Sequence, residues 1–351
     1  MMNIKTNLFC LFLFVSSSVM SQIGGQSAFQ FLDLNFNARS AALGGDFGAA
    51  NDNDINLSVL NPASINTQMD KNVALNHAFY PAGINYGQLM IGHDFEKIGM
   101  VVMHMRYVAY GKFNRTDPAG NDLGTFTAGD YAIGAGYGKK LNERFSIGGN
   151  VNLIFSQLES YFAFGVGIDF AVMYQSEDEN VIAHITARNV GVQFKGYTKS
   201  NREPLPIEVL AGVSYKLNHA PFRFSLVAHD LTDWDLSYLA PFEGPLIDPL
   251  NPDDTLADPS ISFLDKTFRH LNLGVEIIPT DNFSLRIGYN FNRRQTFIIP
   301  DRISITGFSA GVGFRVKKLD FNYSIVFDSP AGSTNMLSIT SNFSEWKKTK
   351  S

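Results

Sequence analysis

Residues 162–174 alternate without a break. Phe162, Phe164, Val166, Ile168, Phe170, Val172 and Tyr174 fall on one side of an extended chain, and Ala163, Gly165, Gly167, Asp169, Ala171 and Met173 on the other. Successive side chains of a β-strand point to opposite faces, so this is a bulky apolar face backed by a small or polar one. The run is well above the roughly five or six residues of an ordinary strand. Phe145, Ile147, Val151, Leu153 and Phe155 repeat the pattern against Ser146, Gly148, Asn150 and Asn152. So do Phe283 to Phe291 and Leu319 to Phe327. A chain built from such segments has a sheet with one fully apolar face, and that face needs a solvent that accepts it.

About fourteen segments of this kind can be placed, near 72–80, 84–94, 97–111, 127–140, 143–157, 161–176, 180–191, 206–217, 221–232, 267–279, 282–296, 305–317, 319–328 and 333–342. Their connections alternate in length. Glu96, 141–143, 177–179, 218–220, 280–281 and 317–318 are short; 112–126, 192–205, 233–266 and 293–304 are long, with shorter members near 81–83, 158–160 and 329–332. Long loops on one side, short turns on the other and an even strand number are the plan of an outer-membrane barrel. A soluble sandwich or repeat array is the competing reading. The strand lengths and the lack of a fixed repeat weigh against it. In lipid, only a closed sheet leaves no unpaired strand edge.

Composition fits this plan. The chain has 30 Phe and 13 Tyr against one Cys, and only 17% of its residues are charged. A net charge of −5 gives no basic patch for nucleic acid. Lys5, the apolar run Leu8 to Val15, then Ser16, Ser17, Ser18 and Ser21 have the layout of a secretory signal peptide, expected over residues 1–21. Cys10 lies inside that run and would leave with it. No window holds the roughly 18 uninterrupted apolar residues of a transmembrane helix.

One stretch breaks the alternation. Asn37 to Ala63 contains Ala38-Arg39-Ser40-Ala41-Ala42-Leu43-Gly44-Gly45, an acidic cluster with Asp52 and Asp54, and Asn61-Pro62-Ala63. Glycine opens backbone conformations closed to other residues, and Asn and Asp side chains bond their own backbone, so the stretch can satisfy its polar groups in a confined space. That suits a plug in a barrel lumen; an ordinary N-terminal arm with turns is the plainer alternative. The order of these three motifs resembles the N-terminal signature of FadL-type outer-membrane barrels, and more closely the PorQ family of the type IX secretion system. The chain departs from the transporter motif at Ser64, where a Gly commonly follows Asn-Pro-Ala.

Signals for chemistry are sparse. His77, His93, His104, His184, His219, His229 and His270 lack metal-ligand spacing, and no Cys remains to join them. His229-Asp230 and His93-Asp94 pair a base with an acid, but no Gly-x-Ser-x-Gly elbow supplies a nucleophile. Gly134, Gly136 and Gly138, like Gly165 and Gly167 or Gly311 and Gly313, lie within strands and read as room on a barrel wall, not as a phosphate loop. Glu177-Asp178-Glu179 reads as a solvated turn. The loop 233–266 carries Trp234, Tyr238 and Phe242 among several prolines and acids. It is either a protein-docking surface or a disordered acidic loop.

The expected architecture is all-β: a transmembrane antiparallel barrel of about fourteen strands, FadL-like, with an N-terminal plug segment. Its parts are a signal peptide (1–21), a plug or lumen segment (22–70), the barrel (71–343) and a periplasmic tail (344–351). Long loops are expected outside the cell and both termini in the periplasm. No enzyme activity, cofactor or metal is expected. The candidate plug residues are Arg39, Gly44, Gly45, Asp52, Asp54, Asn61 and Pro62, and the candidate docking residues are Trp234, Tyr238 and Phe242. The resemblance to the PorQ family implies a structural part of the type IX cell-surface attachment complex, holding PorZ and working with PorU and PorV to attach cargo to lipopolysaccharide. The broader FadL resemblance implies instead a channel for hydrophobic solutes such as long-chain fatty acids. Inward positions rich in Ser, Asn, Gly, Asp and Arg favour the scaffold.

Overall fold

The alternating segments close into one ring. The computed structural model describes residues 27–198, 202–237, 262–297, 304–330 and 332–346. Among them are β1 (Asn72–Phe79), β2 (Asn85–Phe95), β3 (Gly99–Thr116), β4 (Asp122–Lys140), β5 (Phe145–Leu158), β6 (Tyr161–Gln175) and β7 (Val181–Lys195). They continue as β8 (Glu208–Lys216), β9 (Phe222–Ala228), β10 (Leu271–Thr280), β11 (Phe283–Asn290), β12 (Phe308–Val316), β13 (Leu319–Ser329) and β14 (Gly332–Asn342). Each strand pairs with its sequence neighbours, and β1 pairs antiparallel with β14 from Asn72 opposite Asn342 to Phe79 opposite Asn335. Closure leaves no sheet edge, which is what a sheet in hydrocarbon requires.

The two faces separate as the alternation dictates. Leu75, Ile133, Val151, Phe170, Ile185 and Ile287 point outward and are exposed, whereas Ala74, Asn76, Ala132, Ala163, Thr186 and Ser338 point inward and are buried. Exposed aromatics gather at both ends of this apolar band. Phe95, Tyr137, Phe145, Tyr215 and Phe314 lie toward the short turns, and Phe79, Tyr131, Phe162, Phe194 and Phe308 toward the long connections. Paired aromatic girdles mark the two interfaces of an outer-membrane barrel. No described helix is long and apolar enough to cross a membrane.

Several expected boundaries move. Residues 112–126 are not a long loop: β3 and β4 pair as far as Thr116 opposite Asp122, and the turn between them is made by Asp117 capping Ala119 and Asn121. Both faces of this extension are polar or exposed, so alternation does not reveal it, yet the backbone ladder continues. Conversely, 282–296 is not one strand. The Asn290 side chain accepts from Arg293 N (2.7 Å) and starts α3 (Phe291–Thr296). Ser262 likewise caps α2 (Phe263–Arg269), which takes the first residues of the segment expected as strand 267–279, and β9 ends at Ala228, well short of 232. The wall is therefore uneven at the long-loop end. β3 and β4 have 18 and 19 residues, while β9 and β11 have 7 and 8. The low rim is topped by α2 and α3, joined through Phe268 on Phe291 (5.3 Å between ring centroids).

Ahead of β1, residues 28–70 form α1 (Ala38–Ala42) and short 3-10 turns that contact the inward faces of strands around the ring. Ala28 N donates to Pro204 O (2.9 Å) near the long-loop end, and Lys71 N donates to Gly92 O (2.9 Å) near the short-turn end. The segment thus descends through the lumen before the first strand begins. Phe343 to Trp346 lie at the short-turn end, and the first described residues lie in the half of the lumen toward the long loops. The expected signal peptide falls outside the described residues, as do Lys347 to Ser351.

Candidate functional site

The segment is held by groups that its own sequence pattern prepares. Asn37 caps α1, its side chain accepting from Ser40 N (2.8 Å), and the helix N-terminus is fixed to the wall by Ala38 N donating to Ser338 Oγ (2.9 Å). The helix stops at Gly44 and Gly45, whose φ values of 94° and 106° suit glycine and strain other residues. This turn lies on the wall: Gly44 N donates to Ser309 Oγ (3.1 Å), Asn290 Nδ2 to Gly44 O (3.2 Å) and Asn272 Nδ2 to Gly45 O (3.4 Å).

Across the lumen, Asn61 folds the third motif by accepting from Ala63 N (3.1 Å) and donating to Gly48 O (2.9 Å). Pro62 lies so close to β5 that a Cβ at Gly148 would come within 2.2 Å of the Pro62 carbonyl oxygen; one at Gly138 would come within 2.7 Å. A Cβ at Gly288 would likewise lie 2.1 Å from Gly44 N. Gly136, Gly165 and Gly311 likewise face Ile65, Phe29 and Ala42 of the segment, so these in-strand glycines make room for it, whereas Gly134 and Gly313 face side chains of the wall itself.

Arg39 joins segment to wall by charge. Its guanidinium bonds Asp52 (Nη2–Oδ2 2.6 Å), Asp54 (Nη1–Oδ2 3.2 Å) and Glu276 on β10 (Nη2–Oε2 2.9 Å). Arg223 on β9 bridges the same Asp52 and Glu276 at 3.0 and 2.8 Å, and Arg286 on β11 bonds Glu276 at 2.7 Å. Three guanidinium groups thus alternate with three carboxylates. Burial alone would lift the Asp52 carboxyl, but Arg39 and Arg223 outweigh it and hold it well below the ordinary carboxylate range. Burial likewise opposes the charge on Arg39, and Asp52 and Glu276 more than restore it. Of these six groups the sequence singles out Arg39, Asp52 and Asp54. Glu276, Arg223 and Arg286 give no sequence signal, because one charge among alternating polar residues looks like any other inward position.

The lumen has two unlike halves. Toward the short turns, the ion network borders a polar vestibule of about 490 Å³. Toward the long loops, Phe29, Phe31, Leu32 and Phe36 pack with Tyr86, Val108, Ile154 and Leu205 in an apolar cluster. Between them, among the described residues, a cavity of about 10 Å³ lies beside Phe36, Gln88, Arg106 and Asp169. That is about the space of one water. The Asp33 carboxyl is pushed well up, by desolvation first and by Glu208 next.

Of the candidate docking residues, Trp234 is half-exposed at the loop root. It stacks on His270 (5.1 Å, 24°) and meets Phe263 of α2 at 5.5 Å. Tyr238 and Phe242 lie outside the described residues. The turn 177–179 is closed by Asp178, which accepts from Asn180 Nδ2 (2.7 Å).

No family model matches the chain, and no curated protein matches it. Solved structures do. A TodX deltaS2S3 mutant, a monoaromatic hydrocarbon channel, superposes with a TM-score of 0.50 at 13% identity, over 88% of this chain and 99% of that one. The Pseudomonas putida toluene transporter TodX gives 0.47 at 12% identity, covering 88% and 97%. A Pseudomonas aeruginosa FadL homologue gives 0.47 at 12%, covering 88% and 98%. At such identities the likeness is one of fold alone: a closed antiparallel barrel of fourteen strands, like that of the TodX mutant.

Proposed function

We propose that this chain is a non-enzymatic outer-membrane scaffold whose lumen is plugged by residues 28–70 and whose long-loop face, turned outward from the cell, holds a protein partner. The observation that carries this reading is the obstructed lumen. A charged lattice closes off a polar vestibule in the half near the short turns, apolar packing occupies the other half, and the cavity between them holds about 10 Å³. A conducting barrel would keep that space open. The finer reading follows the resemblance at Ala38 to Gly45 and Asn61-Pro62-Ala63: a PorQ-like part of the type IX attachment complex that anchors PorZ, alongside PorU and PorV, for cargo attachment to lipopolysaccharide.

The second reading is a channel for hydrophobic solutes such as long-chain fatty acids. The apolar cluster around Phe29, Phe31 and Leu205 favours it, since that half of the lumen offers an apolar surface if the segment moves. TodX, a monoaromatic hydrocarbon channel by its description, shares the fold.

Isolation of the native outer-membrane complex followed by mass spectrometry separates the two. Recovery of type IX attachment proteins is the expected result. A barrel recovered alone with bound fatty acid supports the channel and sinks the scaffold.

A further inference from the structure

At the low side of the wall, β8 begins and β9 ends at the same height, and three side chains converge there. One ligating atom from each of Glu208, His229 and Asp230 lies within 4.8 Å of the other two. The sequence pairs His229 with Asp230 but gives no hint of Glu208, which closes the group only through the β8–β9 ladder.

Two features make this more than a cluster of acids. The guanidinium of Arg188 faces the carboxyl groups of Asp46, Glu208 and Asp230, while Asp33, its carboxyl pushed well up, lies within reach of both Arg188 and Arg106. Arg188 Nη2 contacts Asp46 Oδ1 at 3.1 Å and also Glu208 Oε2, so the Glu208 Oε1 oxygen remains, its partner being Asp230 N at a long 3.4 Å. The second feature is the imidazole. The His229 side chain is 6% exposed; its Nδ1 lies 2.8 Å from Asp230 Oδ2, and its buried Nε2 has no hydrogen-bond partner. In the neutral imidazole one lone pair stays available, on Nδ1 beside Asp230 or on the unpartnered Nε2.

We propose that Glu208, His229 and Asp230 bind a divalent transition-metal ion of the zinc class. One imidazole nitrogen and two carboxylates are a donor set for a borderline cation, whereas Ca²⁺ and Mg²⁺ favour oxygen-only shells. Zinc bonds of roughly 2.0–2.2 Å bring such ligands closer together than they stand, and rotation of the Asp230 and Glu208 side chains covers the difference. The site is braced from behind. His229 N donates to His270 O (2.9 Å), His270 Nδ1 meets His229 O (2.8 Å), and His270 Nε2 meets Trp234 O (3.3 Å). His270 is also the ring on which Trp234 stacks. A metal here ties the root of the long connection, at both its ends, to the barrel wall.

The test uses the full mature chain in detergent, stripped with chelator and titrated with Zn²⁺ or Ca²⁺ by calorimetry. Trp234 fluorescence is read in parallel in a Trp346→Phe background. Expected are one Zn²⁺ per chain, a change in Trp234 emission on binding, and no response to Ca²⁺. His229→Gln and Asp230→Asn should each weaken Zn²⁺ by about tenfold or more. Both leave the Arg188–Glu208 pair intact, and heat-modifiable gel mobility verifies that the barrel is folded. Failure of the parent chain to bind Zn²⁺, undiminished binding in the double variant, or a response to Ca²⁺ in place of Zn²⁺ each overturns the assignment.

Discussion

Replacing Arg39 with Ala would leave Asp52, Asp54 and Glu276 facing Arg223 and Arg286 with one cation missing from the lattice. Breaking a fully buried pair costs about 3–5 kcal/mol, and the vestibule beside Asp52, whose side chain is 35% exposed, reduces the loss below that range. Arg39→Ala should therefore loosen residues 28–70 from the wall, read as protease cleavage within the segment while the barrel keeps its heat-modifiable mobility. Cleavage no faster than in the parent chain would refute the latch. The same lattice sets a pH dependence. Asp52 is held below its ordinary range in the folded state, so its contribution is complete above the unfolded value of about 4 and fades as pH falls below that. Protection of the segment should be flat from pH 7 down to about pH 5 and decline below about pH 4. Asp52→Asn should flatten that decline, and an unchanged acid profile in the variant would contradict the role. Arg39 was legible because it interrupts a run of small residues. Its wall partner Glu276 was not, because the two are 237 residues apart and only the path of the segment through the lumen brings them together.

At the scale of the strand, the period-two pattern predicts which side meets lipid. Val151, near the middle of β5 with Ile168 and Ala135 beside it, is exposed on the outer face. Val151→Arg should cost about 2–4 kcal/mol in folding into lipid vesicles measured by urea titration, and Val151→Leu close to nothing. Equal effects of the two would mean that this face does not meet hydrocarbon. Alternation fails as a guide where its cause is absent. The outer reach of the β3–β4 hairpin stands clear of any apolar layer, so nothing selects its side chains by face, and Asn290 converts an apparently continuing strand into α3 by capping it. The long connection tests the proposed docking. Shortening 236–262 should release the protein partner from the cell surface while the barrel remains inserted, followed by surface immunolabelling of the partner. Retention of the partner would move the docking surface to other loops.

At the scale of the whole molecule, strand number, order and facing were readable because they follow from local chain geometry repeated many times. The ion lattice and the Glu208–His229–Asp230 group were not, since each is assembled from elements whose proximity only closure of the ring provides. One feature of that closure reaches beyond the folded state. Residues 28–70 run inside the ring and continue into β1 at Asn72, whose partner Asn342 is the last residue of β14. With the segment absent, the inward faces that Arg39, Asn56 and Asn61 contact would line an empty lumen, and Glu276, Asn76 and Met173 would lose those partners. Seating the segment as the first and last strands meet avoids that empty state, so we expect the ring to be fastened around its own contents, with residues 28–70 the mandrel on which the barrel is wound.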